Sequence, residues 1–374
     1  MRKRIKVLVV LVIILASVMQ NLNAQDDILF RRHLINSGIN GFFYGLALDY
    51  IVEAEGGAAA GLPIIVAGTS VLVPVLTNSS KTITPNSLIL SSHGKFVGWA
   101  HGFALATLIG GENAWEDPND KLTVALGAVT SISLGIVGNQ LGKTKDWTEG
   151  QASMYRLYGW TMPLTGALVM GSFSESPRAV AAGDLLFAAG GYLLADKVYK
   201  NYQFTRGDAR AIQVFTLLNG GLGFGIFADL EYRSSVSNTA LLIPAAGVVA
   251  GSLLGQAWLK NINLTPKQGL NTAYATTGGA IFGLGIALIM NSDEITPYYL
   301  VPYLTGFGAY AAMVETMRQK NITSGFLRDN KKSNWEIALM PQNIVVNNRI
   351  AGKGFMVNGR FTGMQPLFAA SLRF

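Results

Sequence analysis

The chain of 374 residues contains no cysteine. This absence excludes disulfide bridges, thiolate metal sites, a cysteine nucleophile and a lipid-modified N-terminal cysteine. Charged residues are also scarce, at 14% of the chain, whereas hydrophobic residues make up 50% and the mean hydropathy is +0.33. Such a chain is too apolar for an ordinary soluble domain, and its composition predicts a protein that lies in a bilayer, wholly or in part.

Signatures of catalysis are missing as well. The triplet Gly142-Lys143-Thr144 lacks the glycine that a P-loop requires five residues before Gly142, because position 137 is Val. There is no Gly-x-Ser-x-Gly elbow, and the three histidines have no metal-ligand spacing. We therefore predict a protein that is not an enzyme, with no cofactor and no metal.

The N-terminus has the layout of a secretory signal peptide over residues 1–24. A basic cluster (Arg2, Lys3, Arg4 and Lys6) precedes an apolar run over 7–18, and a polar stretch ends at Ala24. Leu22 is large for its position before the cleavage site, so an uncleaved anchor is the alternative. Removal of residues 1–24 takes away four of the 29 basic residues and no acid, which reduces the net charge from +7 to +3. Nucleic-acid binding is therefore not predicted.

A short sequence motif centred on threonine recurs along the chain. Thr84, Thr148, Thr205, Thr265 and Thr323 each follow an apolar or aromatic residue, at intervals of 64, 57, 60 and 58 residues. Two long apolar, glycine-rich stretches lie in each interval. A fixed period of this size indicates one supersecondary unit that is copied several times.

Three local signals place a helix start at these threonines. Threonine is a good N-cap residue, and Phe204 stands where a hydrophobic staple begins. Pro85 and Pro266 follow two of the threonines, at a position where a helix needs no N–H. We predict a mainly α fold of five glycine-rich helical hairpins over about residues 30–318, within a membrane domain of residues 25–334.

Small residues four apart recur in the predicted helices. Examples are Gly41/Gly45, Gly98/Gly102, Gly221/Gly225, Gly279/Gly283, Gly138/Gly142, Gly247/Gly251/Gly255 and Gly308/Ala312. A glycine inside a helix is unfavourable in itself, so repetition of this pattern predicts a glycine zipper, in which neighbouring helices approach closely. A transmembrane β-barrel is the alternative, because large and small residues alternate in places, but the apolar runs are longer than barrel strands.

Charge separates with the hairpin geometry. The connections inside the hairpins are acidic, with residues such as Glu53, Glu116 and Asp293, whereas the connections between hairpins are basic, with Lys145 and Lys200 among others. Acidic residues after a helix C-terminus oppose the helix dipole, so the dipole does not explain them. The pattern predicts a protein with two different faces that crosses a membrane in one orientation.

The C-terminal residues 335–374 have a different pattern, which predicts a short antiparallel β segment. Residues 335–346 and 354–362 are typical of strands, and the last nine residues place Phe368, Leu372 and Phe374 on one face. This last strand resembles the C-terminal strand of bacterial outer-membrane proteins, in which the terminal Phe is an assembly signal. The resemblance covers under ten residues and implies the outer membrane or cell envelope of a Gram-negative bacterium.

Four residues are candidates for a functional role. Asp184 is the only acid in the apolar stretch 179–194, and His101 adjoins Gly102 in another predicted helix. An ionisable residue inside a membrane helix is a functional candidate by default. Arg206 and Arg210 lie at the start of one first helix, where a cation can meet an anionic substrate.

The sequence as a whole predicts a non-enzymatic outer-membrane or cell-envelope protein that acts as a scaffold, an assembly factor or a pore. The alternative is an inner-membrane transporter for a small anionic substrate. The predicted partners are membrane lipid and either an envelope protein or a second copy of the chain.

Overall fold

The computed structural model describes residues 25–76, 83–234, 236–326, 334–339 and 368–373. These residues are mainly helical, which confirms the predicted α fold class for this part of the chain. The structure of these residues does not support the β-barrel alternative. Their ten α-helices are α1 (Gln25–Val52), α2 (Gly57–Leu76), α3 (Pro85–Gly110), α4 (Asn119–Thr144), α5 (Glu149–Phe173), α6 (Pro177–Tyr202), α7 (Arg206–Arg233), α8 (Leu242–Leu259), α9 (Pro266–Met290) and α10 (Thr296–Phe326). Short 3-10 helices, Gly111–Trp115 and Asn238–Leu241, precede α4 and α8. The predicted signal peptide, residues 1–24, lies outside the described residues.

Near the C-terminus the structure describes two strands, β1 (Asn334–Leu339) and β2 (Phe368–Arg373). They pair antiparallel, with Asn334 opposite Arg373 and Leu339 opposite Phe368. The chain divides into two compact units, of which the first ends at Arg318 and the second begins at Gln319. The predicted strand at 354–362 and the terminal Phe374 lie outside the described residues, so the β segment as a whole and its boundary at 334/335 stay predictions.

The helices pair in chain order. Helix α1 packs on α2, α3 on α4, α5 on α6 and α7 on α8. In the last pair, Gly283 of α9 lies against Val301 and Pro302 of α10. These pairs are named hairpins 1 to 5.

Four of the five recurring threonines begin helices, as the sequence predicts. Thr84, Thr205 and Thr265 form capping boxes with the residue three positions later, and the Thr148 side chain accepts from the backbone N–H of Gln151. The prediction is wrong for Thr323, which lies inside α10. Among the described residues, α10 continues past Thr323 to Phe326, so this threonine does not stand at a helix start.

Glycines lie where the helices of a hairpin approach one another. A Cβ atom added to Gly102 of α3 would be 2.5 Å from the Leu126 carbonyl oxygen of α4. A Cβ atom on Gly251 of α8 would be 2.9 Å from Thr216 Cα of α7. Two glycines of the predicted rows behave differently: Gly221 and Gly308 have open space at the Cβ position, because they lie on helix faces that no neighbour covers.

Neighbouring hairpins are linked at the end where their internal connections meet, which we call the acidic end. Lys121 pairs with Glu53 between hairpins 1 and 2, and Arg178 donates to the Ile109 carbonyl between hairpins 2 and 3. Further links join Asn238 to Glu175 and Arg233 to Glu294, between hairpins 3 and 4 and hairpins 4 and 5. Consecutive hairpins are therefore neighbours, and their first helices run parallel.

At the opposite end, which we call the basic end, the helix starts touch. Arg206 pairs with Glu149 at 2.7 Å, and Thr205 donates to the Leu264 carbonyl at 2.5 Å. Gly207 makes this contact possible, because a Cβ atom there would collide with the backbone at Leu264 and Thr265. The threonine motif thus forms both a helix cap and part of the contact between hairpins.

Six helices of the described part are long and apolar enough to cross a membrane, by length and composition. They are α2, α4, α6, α7, α9 and α8 together with the 3-10 turn before it. Their outward side chains are large and apolar: Leu193 of α6 is 76% exposed and Ile289 of α9 is 85% exposed. Such a surface is typical of a membrane protein, in which large apolar side chains face outward.

Candidate functional site

The structure brings two of the four candidate residues together. His101 of α3 and Asp184 of α6 lie side by side, with 2.8 Å between the imidazole Nδ1 and the carboxylate Oδ2. Their side chains are only 9% and 14% exposed. The contact joins hairpins 2 and 3 across 83 residues of sequence.

A second polar contact lies on the same two helices. His93 Nε2 is 3.1 Å from the Tyr192 hydroxyl. His93 and His101 are eight residues apart on α3, and Asp184 and Tyr192 are eight residues apart on α6, so the two contacts are about 12 Å apart along antiparallel helices. Together they fix the position of α6 along α3.

The imidazole of His101 has one partner and one free nitrogen. The Asp184 carboxylate is hydrogen-bonded to Nδ1. The other ring nitrogen, Nε2, is buried and has no hydrogen-bond partner among the described residues. A carboxylate at one ring nitrogen fixes the tautomer and orientation of a histidine. The pair therefore links α3 to α6 and leaves the second ring nitrogen unpartnered among the described residues. Within the described ranges, no group of three or more His, Asp or Glu residues could hold a metal.

Arg206 and Arg210 lie apart from this pair, at the basic end, where a third arginine joins them. Arg156 of α5 donates to Gln213 at 2.7 Å, and its Nε is buried without a partner. Burial and the positive charges of Arg210 and Arg206 lower the pKa of Arg156 to about 10. Arg32 of α1 lies close enough to Arg210 for their charges to repel. We call Arg32, Arg156, Arg206 and Arg210 the arginine cluster.

The arginine cluster carries more positive charge than its surroundings neutralise. Glu149 pairs with Arg206, but no described carboxylate lies within ion-pair distance of Arg156 or Arg210. Arginine guanidinium groups are planar and always charged, and they suit carboxylate and phosphate groups. The cluster can therefore attract a small anion.

The sequence identified Arg206 and Arg210 as candidates, but it did not identify Arg32 or the role of Asp208. Asp208 accepts hydrogen bonds from Thr205 and from the backbone N–H of Leu264, the latter at 2.8 Å, and is 1% exposed. It stands three residues after Thr205, which is the position of a capping-box partner. That spacing is the signal that identifies Asp208 as a residue joining hairpins 4 and 5.

The predicted assembly signal falls outside what the structure tests. Phe368 and Leu372 lie in β2, and Phe374 lies outside the described residues.

Comparison of the chain with protein-family models, with curated proteins and with solved structures finds no match.

Proposed function

We propose that this protein is a non-enzymatic scaffold of the cell envelope, embedded in a membrane through its helical hairpins. The observation that carries the proposal is the inverted arrangement of side chains on its helices. Helix α9 is one example: Thr272 and Thr276 are 0% and 1% exposed, whereas Ile281 and Ile289 are 65% and 85% exposed. Small polar residues thus face the neighbouring helices and large apolar residues face outward, as a bilayer requires.

Close packing favours a scaffold over an assembly factor or a pore. The glycines at the hairpin contacts act as a glycine zipper, in which the helix backbones approach closely. Gly102 and Gly251 support this role, because a side chain at either position would collide with the neighbouring backbone. Rigid stacked hairpins with links at both ends are suited to hold partners, either an envelope protein or a second copy of the chain.

We place the protein in the outer membrane of a Gram-negative bacterium, after cleavage of residues 1–24. The support comes from the sequence alone: the layout of the first 25 residues and the alternation that ends at Phe374. Sucrose-gradient fractionation combined with N-terminal sequencing tests both points. We expect a chain that begins at Gln25 in outer-membrane fractions; an intact Met1 in inner-membrane fractions would contradict this location.

The terminal phenylalanine provides a separate test of the same location. Deletion of Phe374 should leave the protein in the periplasm or lead to its degradation, because a terminal aromatic residue can dock at an open sheet edge by strand addition. Phe374→Trp should be mild, since an aromatic ring is kept. Correct outer-membrane targeting after removal of residues 372–374 would contradict the assembly signal.

The second candidate function is transport of a small anionic substrate across the inner membrane. The observation that favours it is the arginine cluster, in which Arg156 and Arg210 have no described carboxylate partner. Uptake of a labelled carboxylate or phosphate ester into vesicles containing the protein tests this function. Arg178 lies at the other end of the hairpins and is the matched control. If Arg156→Gln abolishes uptake and Arg178→Gln preserves it, the protein is a transporter and the scaffold proposal is wrong.

A further inference from the structure

An elongated groove separates hairpin 1 from hairpin 2. It lies between α1 and α3, is closed below by the start of α4, and has a volume of about 780 Å³. Its lining on α1 extends from Asn36 to Tyr50, which corresponds to about 21 Å of helix. We call it the hairpin-1 groove.

One wall of the groove is a row of aromatic rings in contact with one another. The ring centroids of Tyr44 and Trp99 are 5.7 Å apart, those of Trp99 and Phe103 are 5.7 Å apart, and those of Phe103 and Trp115 are 5.3 Å apart. Gly127 of α4 leaves room for this row, because a Cβ atom there would collide with the rings of Phe103 and Trp99. The wall is apolar, continuous and held in place from behind.

The end of the groove toward the basic end is polar. Asn36, Asn40 and Ser92 line it, and Asn40 donates to the Asn36 side-chain oxygen at 2.9 Å. The Asn36 Nδ2 is buried and has no hydrogen-bond partner. An amide donor without a partner is unfavourable at a buried position and is satisfied when an acceptor arrives.

Two lysines lie near this polar end. Lys95 lies three residues after Ser92 on α3, with its aliphatic stem against Gly135 of α4. His33 lies three residues before Asn36 on α1, and burial together with the positive charges of Lys95 and Lys143 lowers the pKa of His33. Residues three apart lie on the same side of a helix. No described carboxylate lies within ion-pair distance of Lys95.

The other end of the groove has the opposite charge. Asp120 lines it and accepts a hydrogen bond from the Tyr50 hydroxyl, with Glu53 and Lys121 paired nearby. A long ligand with one anionic end would therefore enter in one orientation only, with its charge at the basic end.

We propose that the hairpin-1 groove binds an anionic phospholipid, with one acyl chain along the aromatic wall and the phosphate beside Asn36 and Lys95. At about 21 Å, the groove is long enough for an acyl chain that spans one leaflet, which is about 15 Å thick. Its volume falls within the range of small-molecule sites, roughly 300–1,000 Å³. The inference rests on the proposed membrane embedding and adds a selective lipid site to it.

Native mass spectrometry of the full chain in detergent provides the test, with phosphatidylglycerol and phosphatidylcholine of the same acyl chains. One phosphatidylglycerol per chain is expected to remain bound, at least tenfold more tightly than phosphatidylcholine. Phosphatidylglycerol with brominated acyl chains locates the site. It should quench tryptophan fluorescence with saturation at one lipid, and the saturable part should disappear in the double variant Trp99→Phe, Trp115→Phe.

Two variants separate the head-group contact from the chain contact. Lys95→Gln should weaken phosphatidylglycerol binding roughly tenfold, because an ion contact with phosphate is lost. Its matched control is Lys200→Gln, since Lys200 pairs with Asp196 on the exposed face of α6. Ile39→Trp fills the groove and should remove the bound lipid, whereas Ile281→Trp on the exposed face of α9 should not.

Three results would overturn the proposal: equal binding of the two lipids, binding that Ile39→Trp leaves unchanged, or a dimer mass without lipid that Ile39→Trp converts to a monomer. The last result would assign the groove to a second copy of the chain. If the protein enters membranes but does not bind phosphatidylglycerol selectively, the lipid site is contradicted and the proposed membrane embedding still stands.

Discussion

Hairpins 3 to 5 and hairpin 1 are built from the same repeated unit, yet their packing differs. In hairpins 3 to 5, Phe215 and Tyr310 are 1% and 0% exposed and stack with ring centroids 4.5 Å apart. Beside hairpin 1, Phe96 and Phe43 are 72% and 52% exposed along the groove. The repeat fixes how two helices form a hairpin, and the side chains between hairpins decide whether the next hairpin packs closely or leaves a groove.

Helix α3 lies at the boundary between these two regions. Phe96, Trp99 and Phe103 face the hairpin-1 groove, while His93 and His101 reach α6 on the other side. On the α6 side polar contacts hold the neighbouring hairpin in register. On the groove side, the Tyr44 hydroxyl forms a hydrogen bond of 2.9 Å with Ser131 of α4, which ties α1 to α4, while Phe96 of α3 stays exposed.

The largest effect is expected from a side chain placed at a backbone contact. Gly251→Leu should prevent folding, because even its Cβ would lie 2.9 Å from Thr216 Cα and the backbone there cannot yield cheaply. Gly285→Leu is the matched control, since nothing lies within 4 Å of a Cβ atom at that glycine of α9. Yield and thermal unfolding in detergent measure both variants. Normal yield and stability of Gly251→Leu would contradict the glycine zipper.

The second-largest effect is expected when an aromatic ring is removed from the closed core, and the same change in the open groove serves as the comparison. Phe215→Ala should lower the free energy of unfolding by about 3–5 kcal/mol, as loss of a buried aromatic side chain does. Phe96→Ala removes an equal ring that is 72% exposed, and it should cost less than about 1 kcal/mol. Equal losses for the two variants would show that the groove is closed in the folded protein.

A smaller effect is expected at the histidine–aspartate pair. Asp184→Leu should destabilise the protein by about 1–2 kcal/mol, because it leaves His101 without its partner and side-chain hydrogen bonds between membrane helices are modest. Asp184→Asn keeps a hydrogen bond and should cost less. Unfolding in detergent gives both values. If Asp184→Asn instead abolished a transport activity at unchanged stability, the pair would have a functional role.

The smallest effect concerns the caps. Thr205→Ala should cost about 1 kcal/mol, the usual loss for an N-cap threonine. Thr323→Ala should leave stability unchanged, since Thr323 lies within α10 and not at the start of a helix. If Thr323→Ala lowered the free energy of unfolding as much as Thr205→Ala, the fifth copy of the motif would be a helix start after all.

Local features of the fold could be predicted from the sequence, because local interactions determine them. Thr84, Thr148, Thr205 and Thr265 mark helix starts, since a cap needs only the next three residues. Contacts between hairpins could not be predicted in this way. His101 and Asp184 are 83 residues apart, and a single sequence gives no signal that joins them.

The groove could not be predicted for a related reason. The aromatic residues Trp99 and Phe103 have the same spacing as core residues of a packed helix, and the sequence does not distinguish a ring that meets a neighbour from a ring that faces an opening. The arginines are an intermediate case: Arg206 and Arg210 were identified by their position at a helix start, but the fold adds Arg32 from a distant helix.

Membrane embedding with two different ends is the central claim, and the absence of cysteine allows a direct measurement of it. Single cysteines are introduced as Glu53→Cys at the acidic end, Lys145→Cys at the basic end and Leu193→Cys on the outer face of α6, and envelope vesicles are treated with a membrane-impermeant maleimide. Glu53→Cys and Lys145→Cys should react from opposite sides, one before and the other only after permeabilisation, while Leu193→Cys should react only after denaturation. Reaction of all three before permeabilisation, or of both ends from the same side, would contradict the account.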